Sequence, residues 1–574
     1  MGVSRTQSLL ISATSLALAM GACSAPAHAL PADQPFISLA RAYADRDAPA
    51  AARAYSEDAE VIYAYDGVAT SEHRGRTAIE QSFVDFFDQI SPDDRLELNF
   101  RIVERQGDQA SGIYRLRIGS EFISFGRFAV AFDENGLFLS DRSTSADLID
   151  FEEAAGPVMI GPQDDVLDAE YYRLLTGRYR LPSGCHLVVT RSVVRLFVRN
   201  TCDQSWRGLQ RVSGLQWTSG PTVLSDQVEA EYRFDRAADA PSTQLEIHAD
   251  NRIVQALRDT PYALQSVQFS APDGTILTGT LYLPNNLTAP ASATVLVHGS
   301  GPQDRDGYAS IIAVLADSLA AEGRMVLTYD KRGSGGSGGD GDNAGFDLLA
   351  ADAQAAMGYL RNRPEVDPAR VGLAGSSQAG WVIATAIRDG AAPADVFLLG
   401  AAGAAFSVRE QNLYNTQVRM TCDSISAPLR QLALDQQAAF FDAIQNPGLA
   451  ARLDQLTAEA AQHGEIRDWL FPNSSGLNQP GAWFAVLDPA FDPLPIWRDF
   501  GGRAVLVFSD HDDATDTDEA LARLARVGVT GIRLPGSQHL GLNATNICDA
   551  ELGDRTRFSP ELFALLADFA RATP

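Results

Sequence analysis

Hydrophobic and polar positions alternate in three different ways along this chain of 574 residues. Residues 30–153 begin with helical periodicity and continue as strands of alternating polarity, and residues 157–261 consist of short strands broken by Gly, Ser and Asn. From residue 263 onward, apolar strands alternate with helical runs, which is typical of a mostly parallel sheet covered on both faces. The pattern predicts an α+β domain, a small antiparallel β domain (barrel or sandwich) and a large α/β domain at 263–574.

The first predicted domain places helices before strands, with a hairpin turn Asp-Glu-Asn-Gly at 133–136. An Ala-x-x-x-Tyr-x-x-Asp-Ala pattern, which we expect to be helical, is formed by Ala51, Tyr55, Asp58 and Ala59. The segment thereby resembles the cone-like domain of the ketosteroid isomerase and nuclear transport factor superfamily. The resemblance implies a ligand pocket or a dimer interface. The pocket candidates, whose alternative is a core or surface role, are Tyr63, Tyr65 and His73.

A strand, a tight turn and a helix follow one another in the run RVGLAGSSQAGW, Arg370–Trp381. This is the layout of a nucleophile elbow, whose Gly-x-Ser-x-Gly pattern fits residues 375–379 if Ala379 takes the last small position. The fit selects Ser377 as the candidate nucleophile, since Ser376 would point elsewhere. The alternative is an ordinary Ser-rich turn.

Upstream of the elbow, in the run VLVHGSGPQDRDG, a predicted strand ends with His-Gly-Ser-Gly-Pro at 298–302. Attack on an ester or amide builds negative charge on the carbonyl oxygen, which backbone N–H donors stabilise. The candidate donors are the N–H of Ser300 or Gly301, with Ser300 preferred, and the N–H of Gln378 at the start of a helix. We expect His298 to be structural within this loop.

Two histidines downstream of the elbow, His511 and His539, lie at predicted strand ends, whereas His463 lies in a helical run. His539 follows the last strand and is the candidate base. In a nucleophile–acid–histidine chain order, the acid comes before it. The acid candidates are Asp510, Asp512 and Asp513. Their spacing from the preceding strand favours Asp512.

A metal site is the alternative for this acidic segment, and its ligands would be Asp510, His511, Asp513 and Asp516. Adjacent carboxylates in an acidic chain more often form a solvated loop. We therefore predict no metal and no cofactor.

The four parts together resemble the alpha/beta-hydrolase superfamily of serine esterases and peptidases, because they recur in order at successive strand ends. A Gly-rich loop, YDKRGSGGSGG at 329–339, fits the family pattern Asp-x-Arg-Gly-x-Gly-x-Ser and lacks the spacing of a phosphate-binding loop. The resemblance implies an acyl-enzyme mechanism with a triad of Ser377, Asp512 and His539, and an oxyanion hole formed by Ser300 and Gln378. The departures from the family pattern are Ala379 in place of Gly and the run Asp-His-Asp-Asp at 510–513, which offers the acid more than one position.

Residues 404–498 are too many for a simple connection between two strands. They contain three helical runs, so we predict a helical cap inserted over the site. Its aromatic residues either line an acyl pocket or pack the core of the cap, and they are Phe440, Phe441, Trp469, Phe471 and Trp483.

Net charge, the N-terminal residues and the cysteines limit which binding partners and which cellular compartment are expected. Asp and Glu number 73 against 46 Lys and Arg, for a formal charge of −27, which argues against a nucleic-acid partner. Residues 1–29, with an early Arg5, an apolar run and small residues, are interpreted as an export signal. The signal ends either at Ala29 or in a lipobox whose Cys23 is lipidated. The remaining cysteines are even in number, and we predict the pairs Cys185–Cys202 and Cys422–Cys548.

The sequence predicts an exported serine hydrolase of carboxylic esters, periplasmic or anchored to the outer membrane through Cys23. Its substrate would be a small ester or a short peptide. One alternative is a peptidase with the same triad. Another is a periplasmic ligand-binding protein that works through the first domain, with an inert C-terminal domain.

Overall fold

The computed structural model describes residues 34–572 apart from the segments 66–67, 91–95, 119–121, 147–157, 161–172, 193–194, 214, 224, 226, 236–239, 286, 288–289, 342–343, 478–487 and 550–554. The predicted export signal, with Cys23, lies outside the described residues. Within the described ranges, no helix combines the length and the apolar character that crossing a bilayer requires.

The first unit is an α+β domain in which helices pack against a seven-stranded sheet of order β2-β1-β6-β5-β4-β3-β7. Its helices are α1 (Gln34–Asp45), α2 (Ala48–Ala52) and α3 (Arg76–Asp88). Its strands are β1 (Tyr55–Tyr65), β2 (Val68–Arg74), β3 (Leu96–Gln106), β4 (Gln109–Ile118), β5 (Phe122–Phe132), β6 (Phe138–Ala146) and β7 (Val158–Ile160). Phe36 of α1 sits at the centre of the core, within 6.1 Å, ring centroid to centroid, of four phenylalanines from β3, β5 and β6.

The helical prediction for the Ala-x-x-x-Tyr-x-x-Asp-Ala pattern is wrong. Only Ala51 is helical, because α2 ends at Ala52, and Tyr55, Asp58 and Ala59 lie on β1. The run that follows, Glu-Val-Ile-Tyr-Ala-Tyr, is rich in β-branched and aromatic residues, which favour a strand. This strand pairs with β2 and β6, and tertiary pairing of this kind overrides local helical spacing.

The second unit is a closed antiparallel barrel, so the barrel alternative is the one observed. Its strands are β8 (Gly177–Arg180), β9 (His186–Ser192), β10 (Arg195–Asn200), β11 (Trp206–Ser213), β12 (Gln216–Ser219), β13 (Ala230–Phe234), β14 (Gln244–Ala249) and β15 (Arg252–Arg258). The barrel closes because β8 pairs with both β15 and β9. The predicted Cys185–Cys202 disulfide is present and joins the ends of the β9–β10 hairpin.

The third unit contains an eight-stranded sheet of order β16-β17-β19-β18-β20-β21-β22-β23, parallel from β19 to β23. Its strands are β16 (Tyr262–Ser270), β17 (Ile276–Pro284), β18 (Ala291–Val297), β19 (Met325–Tyr329), β20 (Val366–Ser376), β21 (Asp395–Leu399), β22 (Arg503–Ser509) and β23 (Gly531–Leu534). The helices are α4 (Ile311–Ala321), α5 (Phe346–Arg361), α6 (Ala379–Arg388), α7 (Val408–Cys422), α8 (Ala427–Gln445), α9 (Ala450–Ala460), α10 (Leu494–Asp499), α11 (Thr517–Arg526) and α12 (Pro560–Arg571).

Apolar side chains project from both faces of this sheet. Successive side chains of a strand point to opposite faces, and these strands are apolar at nearly every position. On β18, Val295 belongs to the core beneath α5 and α6, and its neighbour Leu296 belongs to the core beneath α4 and α12. The prediction of a sheet covered on both faces is confirmed. The helices α7, α8 and α9 fall in the predicted cap insertion, between β21 and β22.

The barrel is joined to the third unit by buried ion pairs. Asp317 of α4 accepts hydrogen bonds from Arg178 of β8, from Arg199 of β10 and from the Tyr262 hydroxyl. Arg191 of β9 binds Asp304 and Asp306 at 2.8 and 2.9 Å, in the loop that leaves β18. Removing one partner of such a pair typically costs about 3–5 kcal/mol, because the other charge stays buried.

Candidate active site

The turn after β20 has the geometry of a strained elbow. Ser377 adopts a φ of 55°, in the left-handed region that side-chain-bearing residues rarely occupy. Its N–H donates to the carbonyl of Leu399 at 2.9 Å, so neighbouring strand ends hold the turn in place. Ser376 is buried, 3% exposed, whereas Ser377 is partly exposed. The strained, accessible position therefore belongs to Ser377.

Small residues let β20 and α6 approach each other at this turn. A methyl group at Gly375 would lie 2.4 Å from the carbonyl oxygen of Val297 and 2.5 Å from the Cβ of Ala379. Ala379 is completely buried. At this crossing, Ala is accommodated where the family pattern has Gly, which accounts for the departure seen in the sequence.

The loop that leaves β18 lies directly against the elbow. A methyl group at Gly299 would be 3.7 Å from the Cβ of Ser377. The carbonyl of Ser300 accepts a hydrogen bond from the Gln303 side chain at 2.6 Å, which holds the loop. Ser300 and Gln378 thus belong to the two segments that meet at Ser377, and both remain candidate N–H donors for an oxyanion.

His298, at the start of this loop, is only 2% exposed, and its ring packs edge-on against Tyr329 at 4.9 Å between centroids. Burial, with the positive charge of Lys331, lowers the pKa of His298 to about 3. Its imidazole is therefore neutral near pH 7, as suits the structural role expected for it.

The predicted acid and base form a buried pair. The Nδ1 of His539 lies 2.9 Å from each carboxylate oxygen of Asp512. The Asp512 side chain is fully buried and that of His539 is 17% exposed. Asp512 also accepts the N–H of Ala514 at 2.9 Å, which fixes the carboxylate's orientation. With Nδ1 bound to Asp512, Nε2 is the ring nitrogen left for a proton transfer.

The elbow and the histidine meet at the tip of β21. Ser377 binds the Leu399 carbonyl there, and a methyl group at the next residue, Gly400, would lie 2.8 Å from Cε1 of His539. Gly400 has a φ of 60° and carries no side chain in the space that His539 takes. The structure thus gathers Ser377, His539 and Asp512 at the carboxyl edge of one sheet.

The other carboxylates near Asp512 have different partners. Asp510 is bound by Arg533 at 2.9 Å, and Asp516 caps α11 by accepting the N–H of Glu519. Asp513 lies 3.8 Å from Arg419 of the cap. Across the described residues, no three His, Cys, Asp or Glu side chains are arranged to hold a metal ion.

Burial and the charge of Asp512 act in opposite directions on the pKa of His539. Burial by itself would lower the pKa of His539, but the charge and hydrogen bond of Asp512, with a contribution from Asp513, raise it above its ordinary value. Burial raises the pKa of the Asp513 carboxyl. The imidazolium that forms during proton transfer is therefore stabilised where it arises.

This pKa shift predicts the pH dependence of turnover. A base must be neutral to accept a proton, so kcat/KM should fall on acidification through a pKa above about 6.5, the ordinary value for histidine. The measurement is kcat/KM against pH with a substrate that does not ionise. An acidic limb clearly below 6.5 would contradict a base paired with Asp512.

Helix α7 of the cap holds the acid loop, a feature that sequence reasoning missed. Gln411 donates to the carbonyl of Ala514, and Asn415 donates to that of Asp513, both at 3.0 Å. At the end of α7, Cys422 forms the predicted disulfide with Cys548, on the segment that follows His539. Both loops that carry the acid–base pair are therefore tied to the same helix.

Removing this disulfide should affect both stability and turnover. We expect a Cys422→Ser/Cys548→Ser variant to unfold at a lower temperature and to lose several-fold in kcat, because α7 no longer fixes the acid and histidine loops. The matched control is Cys185→Ser/Cys202→Ser, which should lower the thermal midpoint and leave kcat unchanged. The sequence separations are 126 and 17 residues, so chain entropy predicts losses of about 5 and about 3 kcal/mol. Equal kcat in the two variants would contradict the role of α7.

The cap aromatics pack mainly against one another. Phe440 and Phe441 are buried, and their rings lie 5.0 and 5.5 Å from that of Phe471. Arg419 stands over the ring of Trp469 at 5.8 Å. Trp483 lies outside the described residues. For Phe440 and Phe441, packing in the core is the alternative observed.

In the first domain, the rings of Tyr63 and His73 lie 6.1 Å apart on neighbouring strands. The side chain of Tyr65 lies outside the described part. A buried hydrogen bond joins the Tyr55 hydroxyl to Asp141 at 2.8 Å, and burial raises the pKa of the Asp141 carboxyl. A ligand pocket in this domain stays a prediction.

The C-terminal region has the alpha/beta-hydrolase fold, in which the candidate triad occupies the ends of β20, β22 and β23. Residues 294–545 match the family model described as the alpha/beta hydrolase family.

Relatives of known sequence match a shorter part of the chain. YfhR, an uncharacterised protein of Escherichia coli K12, is 34% identical over 132 residues, which are 23% of this chain and 44% of that protein. An uncharacterised protein of Mycobacterium tuberculosis is 35% identical over 113 residues, 20% of this chain and 37% of its own length. The match thus spans less than half of each relative.

Solved structures with similarity to this chain include the esterase PF2001 of Pyrococcus furiosus, with 15% identity and a TM-score of 0.33. That match covers 49% of this chain and 84% of the esterase. Est1E of Butyrivibrio proteoclasticus, solved with ferulic acid bound, has 14% identity and a TM-score of 0.33, covering 53% of this chain and 97% of Est1E.

Proposed function

We propose that the protein is an exported serine hydrolase that cleaves carboxylic esters through an acyl-enzyme. The observation that carries the proposal is the buried Asp512–His539 pair beside a strained, partly exposed Ser377 at one sheet edge. A paired histidine next to an elbow serine is the arrangement that activates a hydroxyl for attack.

In this mechanism, the Oγ of Ser377 attacks the ester carbonyl carbon while its proton passes to Nε2 of His539. The carbonyl oxygen becomes an oxyanion, which accepts the backbone N–H groups of Ser300 and Gln378. The C–O bond to the alcohol then breaks, and His539 returns the proton to the leaving alkoxide. A water molecule, deprotonated by His539 in the same way, then attacks the acyl carbon; the bond from that carbon to Oγ breaks, and His539 returns the proton to Oγ, which releases the acid and restores Ser377.

Two features support export to an oxidising compartment. Both predicted cysteine pairs form disulfides, which persist in secreted and periplasmic proteins. The N-terminal residues have the composition of an export signal, with cleavage after Ala29 or lipidation at Cys23. In the proposal the protein is periplasmic, or held at the outer membrane by a lipid on Cys23, and it binds no nucleic acid.

The experiment that tests the proposal is covalent labelling with a fluorophosphonate, followed by mass mapping of the labelled peptide. We expect one label, on the peptide that carries Ser377. Absence of labelling in the folded protein, or a label on another residue, would refute the assignment. Retention of a ligand by the first domain in a protein that does not label would instead support the ligand-binding alternative.

The leaving group separates an esterase from a peptidase with the same residues. We expect turnover of p-nitrophenyl acyl esters and little turnover of aminoacyl and dipeptidyl anilides. An amide needs protonation of a poorer leaving group and a site for the peptide amine. Preference for the anilides would make the protein a peptidase.

A further inference from the structure

Lys331 lies in the Gly-rich loop after β19, between two residues that each form an ion pair with another element. Its neighbour Asp330 is bound by Arg305, and the next residue, Arg332, binds Asp352 of α5 through two hydrogen bonds of 2.7 and 2.6 Å. These pairs anchor the loop on both sides of Lys331. The Lys331 side chain consequently turns inward, and the residue is only 8% exposed.

The ammonium of Lys331 binds the two segments that carry the candidate oxyanion donors. Its Nζ donates to the carbonyl oxygens of Gly299 at 3.1 Å and Gly301 at 2.8 Å, on either side of Ser300. It also donates to the side-chain oxygen of Gln378 at 2.8 Å. One cation therefore connects the loop after β18 to the residue that follows Ser377.

The bond to Gly299 controls the direction of a donor. The Gly299 carbonyl and the Ser300 N–H belong to one peptide unit, which is planar, so they point in opposite directions. Holding the carbonyl toward Lys331 aims the N–H of Ser300 away from it. A cation on the carbonyl also polarises the peptide, which makes its N–H a stronger donor.

The three hydrogen-bond acceptors of the Lys331 ammonium are uncharged oxygens. A buried ammonium of this kind is costly for the fold. Burial lowers the pKa of Lys331 to about 7. In its protonated form, the ammonium directs its field at the two segments that it binds.

We propose that Lys331 is a positioning residue of the oxyanion hole, which orients the Ser300 peptide, joins it to Gln378 and adds a positive field behind both donors. This inference rests on the proposed serine-hydrolase function. Lys331 touches the hole's backbone, and the substrate oxygen contacts the N–H groups.

The test compares the full-length protein with Lys331→Met, which keeps the length of the side chain and removes its charge. Active sites are counted by end-point titration with a fluorophosphonate, so that kcat refers to folded sites only. We expect kcat per site to fall by about 10- to 100-fold with KM within about threefold, less than the loss of a donor itself. The rate of inactivation by the fluorophosphonate should fall in parallel, because its phosphoryl oxygen occupies the same hole.

The matched control is Arg324→Met, which removes a buried cation at the opposite end of the sheet, where Arg324 binds Asp395. It should lower the thermal midpoint and leave kcat per site unchanged. A purely structural role for Lys331 predicts the same behaviour for Lys331→Met, and that result would overturn the proposal.

A second variant decides the question if Lys331→Met does not fold. Gln378→Ala keeps the donor N–H and removes one acceptor of Lys331, so kcat per site should fall by about tenfold, as expected for one hydrogen bond to a charged group. An unchanged kcat would overturn the inference. Loss of turnover in Ser377→Ala alongside either negative result would leave the proposed function intact, whereas turnover by Ser377→Ala would refute that function itself.

Discussion

Ser377→Ala is expected to lower kcat by a factor on the order of 10⁶ and to abolish fluorophosphonate labelling, because no other hydroxyl replaces the attacking atom. The variant should stay folded, since Ala in the left-handed conformation is strained about as much as Ser. Turnover is measured with a p-nitrophenyl ester, and folding is checked by the thermal midpoint.

The adjacent serine provides the control for this variant. Ser376 is buried on the strand side of the turn, so Ser376→Ala should keep labelling and retain kcat within about threefold. If the two alanine variants lost activity equally, or if Ser377→Ala kept it, the nucleophile would lie elsewhere.

Asp512→Asn is expected to lower kcat by about 10⁴-fold while leaving the fold intact. In the variant, the amide oxygen can still accept the N–H of Ala514, so the amide NH₂ takes the place of the other carboxylate oxygen, which lies 2.9 Å from Nδ1 of His539. An NH₂ donor at this position requires an unprotonated Nδ1, which places the ring proton on Nε2. A protonated Nε2 cannot accept the proton of Ser377. Loss of the buried charge should also move the acidic limb of kcat/KM to lower pH.

Asp513→Asn is the matched control, and it also tests which carboxylate is the acid. Asp513 lies beside Arg419 and acts on His539 only through its charge. We expect kcat within about threefold of wild type and a small downward shift of the acidic limb. A loss as large as that of Asp512→Asn would move the acid assignment by one residue.

Strand ends in the third unit were predictable from sequence because each is an apolar run closed by a small or acidic residue. Parallel strands place such ends at the same edge, which brings Ser377 and His539 together despite their separation in the chain. Barrel closure was not predictable, since it depends on the long-range pairing of β8 with β15. A local alternation pattern carries no information about that pairing.

The contacts around the site were harder to foresee. The polar residues Gln411 and Asn415 of α7 resemble an ordinary solvated face in the sequence, and only tertiary placement shows that they bind the acid loop. Lys331 was visible as part of a Gly-rich loop, but its inward direction depends on Arg305 and on Asp352 of α5, which bind its neighbours Asp330 and Arg332. Side-chain direction of this kind is a property of the assembled fold.

Because Arg191 of the barrel forms buried ion pairs with Asp304 and Asp306, the third unit depends on the barrel for its structure. A truncated protein that begins near residue 262 lacks Arg191, so the carboxylates of Asp304 and Asp306 would lose this cation within a few residues of Ser300. We therefore expect the truncated protein to be poorly soluble or to have a low kcat, even though it retains every residue of the candidate triad. A chimera that takes its barrel from a related protein should fold only if both the arginine and its two acidic partners are present in it.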